Sequence, residues 1–224
     1  MWCIPPQQDA RFVANMEDVL SVYARPYDAR RPVVCLDEAA KQLLGEEREV
    51  IPATPNHVQR FDSHYVRNGT CALFMLFEPL AAKRHVLVKE RRTALDYAEV
   101  VRFLCEEVHP QAQKIVLVQD NLNTHGPWSL YEAFEPHHAR HLIERIEWHY
   151  TPKHGSWLNM AEMELSVLAR QCLQERMDSK DNLEHQVALW QERRNQTATR
   201  VQWHFTTKDA RIKLHKLYPQ LLPG

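Results

Sequence analysis

The sequence contains no long hydrophobic run, no secretory leader pattern and no paired cysteine motif. Its 224 residues include no stretch of 18 apolar residues, so we expect no transmembrane helix and no membrane partner. The N-terminus lacks the basic segment followed by an apolar one that is typical of a signal peptide. The five cysteines are scattered without a Cys-x-x-Cys spacing, which predicts reduced thiols in a cytoplasmic protein and argues against a zinc ribbon.

The sequence also lacks the excess of positive charge that is usual in proteins that hold nucleic acid by charge alone. Its formal net charge is −1 with histidine counted as neutral. Any DNA binding therefore depends on local basic clusters, such as those in residues 89–92 and 208–216. A basic cluster taken alone is a weak signal, because solvated helix ends have the same composition.

Two short apolar runs each lead into an aspartate. Residues 33–36 precede Asp37, and residues 115–118 lie just before Asp120. Continuous apolar runs of this length predict strands that are buried on both faces. Together with the helical spacing of apolar residues elsewhere, they predict an α/β fold with a mixed sheet of about five strands flanked by helices.

The remaining elements follow from the same patterns. Thr93 is a candidate N-cap with Asp96 three residues later. The helix that begins at Thr93 is predicted to end before Pro110. The other predicted strands are 71–77, 85–89 and 146–150, and the other predicted helices are 7–25, 127–146, 159–176, 179–195 and 207–217.

Three carboxylates stand out as candidate metal ligands. If Asp37 and Asp120 end central strands, both lie at one edge of the sheet, where ligand sites of open α/β sheets are found. Glu162, near the start of the helix after Pro152, is a third candidate. Carboxylate oxygens suit Mg²⁺ or Mn²⁺, and a pair of such ions is the usual means of phosphodiester cleavage. The alternative is that both aspartates are turn formers at strand ends.

Helix periodicity leaves two candidates for the third acid. At about 100° per residue, Glu162 and Glu164 lie on opposite flanks of an apolar stripe, and the spacing favours neither of them. Asn159 is a candidate cap of this helix, which would make Glu162 its capping-box partner with a purely structural role. The stripe consists of Leu158, Ala161, Leu165, Leu168 and Cys172.

Three segments carry a resemblance to a known family. They are QDNLNTH (119–125), HYTPKHGSWLNMAEMELSVL (149–168) and WHFTTKDARIKLHKLYP (203–219), and the similarity extends from about residue 33 to residue 219. They resemble transposases of the insertion sequence 630 family, within the mariner-like superfamily. The resemblance implies a ribonuclease-H-like fold and an Asp-Asp-Glu triad, whose members fall on Asp37, Asp120 and, closing an Asn-x-x-Glu motif, Glu162 rather than Glu164.

The resemblance also implies a function and partners. We expect the catalytic domain of a DNA transposase, which cleaves phosphodiester bonds at element ends and transfers the strands into target DNA. Two Mg²⁺ or Mn²⁺ ions would be held by Asp37, Asp120 and Glu162. The expected partners are DNA and a second copy in a homodimer, in the cytoplasm and at the nucleoid. The alternatives are a structure-specific nuclease of the same fold and an inactive, truncated remnant that only binds DNA or a partner.

The expected domain organisation differs from that of the family in one respect. Family members usually carry an N-terminal helix-turn-helix region, and the 36 residues before Asp37 are too few for it. We therefore expect that the recognition region is either a separate helix-turn-helix polypeptide or has been lost. The predicted segments are a helical arm and linker (1–31), the catalytic domain (32–176) and a C-terminal helical extension (177–224).

Further candidates surround the predicted triad. Asn121 and His125 would orient water or contact the scissile phosphate, or else form an Asx turn and a helix cap. Lys153 and His154, just before the glutamate helix, would contact a DNA phosphate, or else belong to an ordinary polar loop. Asn159 is a further candidate, which would contact Glu162 or a phosphate without binding the metal itself.

Overall fold

The computed structural model describes residues 8–46 and 65–220, and the strands of these residues form one mixed sheet. The spatial order is β3-β2-β1-β4-β5. The three strands β1, β2 and β3 pair antiparallel, whereas β1, β4 and β5 pair parallel. This confirms the predicted sheet of about five strands. The strands are β1 (Val33–Glu46), β2 (Tyr65–Glu78), β3 (Lys83–Lys89), β4 (Ile115–Gln119) and β5 (Ile146–Tyr150).

The helices lie on both faces of the sheet. Among residues 8–46 and 65–220, none of them is both long and apolar enough to cross a bilayer. The helices are α1 (Ala10–Tyr23), α2 (Ala94–Phe103), α3 (Pro127–Ala133), α4 (Pro136–Arg145), α5 (Met160–Gln171), α6 (Lys180–Gln196) and α7 (Thr207–Lys213), and a π-helical turn (Leu104–Val108) extends α2.

Local signals explain several of the helix ends. Thr93 caps α2 and forms the predicted capping box with Asp96. The stretch predicted to be helical over 127–146 is helical apart from a break, because Phe134 is extended and the chain divides there into α3 and α4. Pro136 is the reason: it has no N–H to donate to a preceding turn, and its fixed φ suits the first position of a new helix.

The first strand is longer than predicted, so Asp37 does not end it. β1 pairs with β4 only from Val33 to Cys35, but it pairs with β2 as far as Glu46. Residues 42–46 and 65–68, for which the sequence patterns predict no element, therefore belong to strands, and residues 47–64 lie outside the described part of the chain. The apolar run predicts only the first part of β1, where the strand lies between β2 and β4 in the sheet. Its continuation depends on pairing with β2, which comes later in the sequence.

Alternating residues of the sheet face two separate apolar layers. Cys35 and Val118 pack with α1, α5, α6 and α7, whereas Leu36 and Leu117 pack with α2 and α4. The first layer includes residues from all three predicted segments, because α1, α5 and α6 share it. The boundaries of those segments therefore remain a prediction.

Glu147 on β5 joins the sheet to the chain that follows α1. Its carboxylate accepts a hydrogen bond of 2.8 Å from the Arg25 guanidinium and further ones from Arg31 and His149. Burial acts to raise the pKa of Glu147, but the hydrogen bonds from Arg25, His149 and Arg31 outweigh it and lower the pKa to about 2. The ionised form of Glu147 therefore stabilises the fold.

We expect Glu147→Gln to lower the free energy of unfolding by on the order of 1 kcal/mol at pH 7, as for a favourable, partly exposed ion pair. Because the folded pKa lies below the unfolded one, this contribution is present above pH 4.5 and is lost as the pH falls towards 2. Urea denaturation of both proteins across that range is the measurement. Arg25→Met should reproduce part of the loss. A difference that is the same at every pH would contradict the assignment.

Candidate active site

Three acidic residues from three elements lie towards one edge of the sheet, close enough for Asp120 and Glu162 to influence the pKa of Asp37. Asp37 lies two residues beyond the last β1 residue that pairs with β4, Asp120 directly follows β4, and Glu162 lies in the first turn of α5. We call these residues the acidic triad. Burial, followed by repulsion from Glu38, Asp120 and Glu162, raises the pKa of Asp37 to about 7. It does so although the N–H of Glu38 donates a hydrogen bond to Asp37. The charges of Asp120 and Glu162 therefore act on Asp37.

Asn159 fixes the start of α5 to the strand that carries Asp37. Its side chain is buried, and its oxygen accepts a hydrogen bond of 3.1 Å from the N–H of Ala161, which confirms the predicted cap. Its amide donates a hydrogen bond of 2.8 Å to the carbonyl oxygen of Leu36, the residue just before Asp37. One buried side chain thus sets the position of Glu162 relative to Asp37.

The two acids that flank the apolar stripe of α5 have different surroundings. Glu164 is buried and lies 2.8 Å from guanidinium nitrogens of both Arg84 and Arg194. Burial acts to raise the pKa of Glu164, and the hydrogen bonds from Arg194 and Arg84 lower it overall. Glu162 is exposed at the site. Glu164 is therefore committed to an ion-pair network, and Glu162 is available to a ligand.

His125 lies behind Asp120 rather than at a helix start. Its Nδ1 is 2.5 Å from an Asp120 carboxylate oxygen, and its ring stacks on Tyr97 with 4.7 Å between the centroids. The prediction that His125 caps the next helix was wrong, because the N-cap of α3 is Gly126 and no side chain bonds to it. The buried imidazole instead contacts a member of the acidic triad.

Glu38 completes this group, and the sequence analysis missed it. Adjacent residues of a strand point to opposite faces, so Asp37 lies on the face of Cys35 and α5, and Glu38 on the face of Leu36 and α2. Only 4% of the Glu38 side chain is exposed, and its Oε2 lies 3.5 Å from Nε2 of His125. The available signal was the second acid of the Asp-Glu pair after the apolar run.

The donor atoms at this edge fit a divalent cation. Glu38, Asp120 and His125 each offer one ligand atom within 4.8 Å of the other two. Oε2 of Glu38 is buried and has no hydrogen-bond partner among the described residues. Carboxylate oxygens, including those of the acidic triad, are the ligands that Mg²⁺ and Mn²⁺ prefer. The chemistry of the site therefore agrees with the expected metals.

Three further candidates are exposed on the loops that follow β4 and precede α5. Asn121 directly follows Asp120, and Lys153 and His154 lie in the turn between β5 and the 3₁₀ turn Ser156–Leu158. Exposure is compatible with contact to water or a DNA phosphate and equally with a structural turn or polar loop. Contact with a DNA phosphate therefore stays a prediction. His154 has a φ of +64°, so the loop turns sharply at this residue before α5 begins.

The comparisons agree with this architecture. A family model described as DDE superfamily endonuclease matches residues 32–184. No curated protein matches the sequence. The crystal structure of the Mos1 mariner paired end complex with Mn is similar at a TM-score of 0.55 and 16% identity, covering 88% of this chain and 60% of that one.

A second solved structure, the Mos1 transposase paired-end complex with left transposon end, has a TM-score of 0.55 at 15% identity, with coverage of 96% and 65%. This chain therefore spans less than two thirds of the length of the Mos1 chains. At these identities the likeness concerns the fold, and it confirms the predicted ribonuclease-H-like arrangement.

Proposed function

Because this chain belongs to the DDE superfamily endonucleases, we propose that it is the catalytic domain of a DNA transposase of the insertion sequence 630 branch. It would cleave phosphodiester bonds at the ends of a mobile element and join those ends to target DNA. The observation that supports this proposal is that Asp120 and Glu162 lie close enough to Asp37 to raise its pKa, after burial and Glu38, and these are the three positions at which the sequence resembles that branch.

The acidic triad is proposed to hold Mg²⁺ or Mn²⁺, with two ions in the active complex. When bound, these cations would neutralise the triad and stabilise negative charge on the phosphate oxygens. Without them burial, followed by the charges of Glu38, Asp120 and Glu162, raises the pKa of Asp37. Asn159 holds Glu162 against the strand of Asp37, so that part of the ligand geometry is set before metal binds.

The proposed DNA contacts adjoin the triad residues along the chain. Lys153 and His154 are exposed on the loop that leads into α5, and Asn121 is exposed next to Asp120. These side chains are suited to donate hydrogen bonds to phosphate oxygens, which position a duplex without reading its sequence. Near-neutral net charge agrees with recognition of the element ends by a separate helix-turn-helix polypeptide.

The proposed assembly is a homodimer on two DNA ends. The Mos1 structures that resemble this fold are paired-end complexes and, at a TM-score of 0.52, a strand transfer complex. What those complexes do is a property of Mos1, and it extends to this chain only as part of the proposal.

The test uses the full chain with labelled DNA that carries the sequence flanking its gene. With Mn²⁺, we expect cleavage of this DNA and joining of pre-cut ends to a plasmid, and we expect Asp37→Asn to reduce both by at least about a hundredfold, because even residues behind metal ligands are worth ~10–100-fold. The variant should melt at the temperature of the wild type or above, since it removes charge repulsion.

The other outcomes separate the alternatives. Cleavage without joining would favour a structure-specific nuclease and overturn the transposase assignment. Equal results for the wild type and Asp37→Asn would overturn the catalytic role of the triad and favour a remnant that only binds DNA.

A further inference from the structure

A buried carboxylate and a buried imidazole lie directly behind Asp120. Glu38 and His125, which we call the Glu38–His125 pair, have exposed side-chain fractions of 4% and 2%. Nδ1 of His125 faces Asp120, and Nε2 faces Glu38. The imidazole therefore lies between the second acid of the proposed site and a carboxylate to which neither the sequence nor the resemblance gives a role.

The His125 ring is held by contacts that do not involve Asp120. It stacks on Tyr97 at an interplanar angle of 21°. The Gln119 amide donates a hydrogen bond of 3.0 Å to the His125 carbonyl oxygen, and Gln119 itself accepts one of 2.7 Å from the Tyr97 hydroxyl. Because ring and backbone are both fixed, His125 presents Nδ1 to Asp120 in one orientation.

The buried position of Glu38 lowers the stability of the folded protein. A buried carboxylate oxygen without a hydrogen-bond partner is destabilising, and such groups in folded proteins usually have a functional reason. Its position 3.5 Å from Nε2 suggests that reason, because Glu38 contacts the ring nitrogen opposite Nδ1 and so helps to hold Nδ1 towards Asp120. Carboxylate–histidine pairs of this kind commonly orient the ligands of metal sites.

We propose that Glu38 and His125 are positioning residues for Asp120: the pair holds one Asp120 oxygen in a hydrogen bond and thereby aims the carboxylate at the divalent cation. The proposal rests on the proposed function, since it takes Asp120 as a metal ligand. In this arrangement Asp37 and Glu162 lie on the face of the sheet that packs against α5, and the Glu38–His125 pair lies on the face that packs against α2.

The first test measures Mn²⁺ binding to the full chain by calorimetry, without DNA. His125→Leu should weaken binding by about ten- to a hundredfold, the usual effect of losing the partner of a ligand. His125→Asn keeps an amide near the position of Nδ1 and should restore most of that loss. Equal binding by the wild type and His125→Leu would overturn the proposal.

The second test is a double-mutant cycle. Glu38→Gln should weaken Mn²⁺ binding in the wild type and have almost no further effect in His125→Leu, because Glu38 acts through the imidazole. If the two effects multiply instead, Glu38 binds the cation directly and the positioning role is wrong. Glu38→Gln keeps the shape of a buried side chain, and each variant is compared only after its melting temperature shows that it is folded.

The chain offers a matched control pair. Glu78 is also buried, and its carboxylate lies 3.3 Å from Nε2 of His109, in contact with none of the acidic triad. Glu78→Gln should leave Mn²⁺ binding unchanged, and a loss equal to that of Glu38→Gln would show a general effect on stability and contradict the proposal. DNA cleavage by the wild type and Asp120→Asn is measured in a separate assay. Absence of cleavage would contradict the proposed function without affecting the comparison of Mn²⁺ binding among the variants.

Discussion

Glu162→Gln is expected to reduce metal-dependent DNA cleavage by at least about a hundredfold while leaving the free energy of unfolding nearly unchanged. The side chain is exposed, and its charge raises the pKa of Asp37, so its removal relieves repulsion and breaks no packing. A neutral amide is a poor ligand for a hard divalent cation, and loss of even an outer partner of a ligand costs ~10–100-fold. Rates of cleavage under single-turnover conditions are the measurement.

Glu164→Gln is the matched control, two residues further along the same helix. It breaks the ion pairs with Arg84 and Arg194 and should destabilise the protein while leaving cleavage per folded molecule close to that of the wild type. The reverse result, with activity lost in Glu164→Gln and kept in Glu162→Gln, would show that the third acid has been assigned to the wrong flank of α5.

Arg84→Met is expected to lower the free energy of unfolding by about 3–5 kcal/mol, the cost of removing one partner from a buried ion pair. The Arg84 side chain is 0% exposed and binds Glu164. It also donates hydrogen bonds to the carbonyl oxygens of Ala82 and Thr199, and its guanidinium lies 4.7 Å from the centre of the Phe77 ring. After the substitution, Arg194 remains as the ionic partner of the buried Glu164 carboxylate.

The double variant Arg84→Met/Glu164→Met distinguishes an uncompensated charge from lost packing. Removing both charges should recover part of the stability, because apolar groups replace a buried pair at little cost. Arg140→Met, which breaks the exposed pair with Glu144 on α4, should change stability little. Urea denaturation gives all of these values, and a double variant no more stable than Arg84→Met would contradict the role of the unpaired charge.

Local patterns predicted the elements whose causes are local. The apolar runs before Asp37 and Asp120 are strands, Thr93 and Asn159 cap helices, and Pro136 starts one, although its effect within the predicted helix was overlooked. The predicted end of β1 was wrong because it depends on a contact that is not local. A strand with one edge covered and a polar sequence is decided by its partner, and β2 is distant in sequence.

The composition of the site shows the same division. Asp37, Asp120 and Glu162 were predicted from strand ends and a resemblance in motifs, whereas Glu38 was overlooked. A single acid next to another acid carries no periodic signal. Its burial beside His125 follows from the packing of α2 and the loop after β4 against the far face of the sheet.

The sequence by itself determined the class of fold and the identity of the acids that are candidates for metal binding, because apolar periodicity and strand-end positions are encoded residue by residue. Helix periodicity left Glu162 and Glu164 equivalent, and only the resemblance in motif favoured Glu162, whereas the tertiary structure gives the two acids different surroundings. They differ once Arg84 and Arg194, from other elements, pack against one flank. Long-range contacts select the environment of a side chain, and that environment determines whether a carboxylate stabilises the fold or remains free for a ligand.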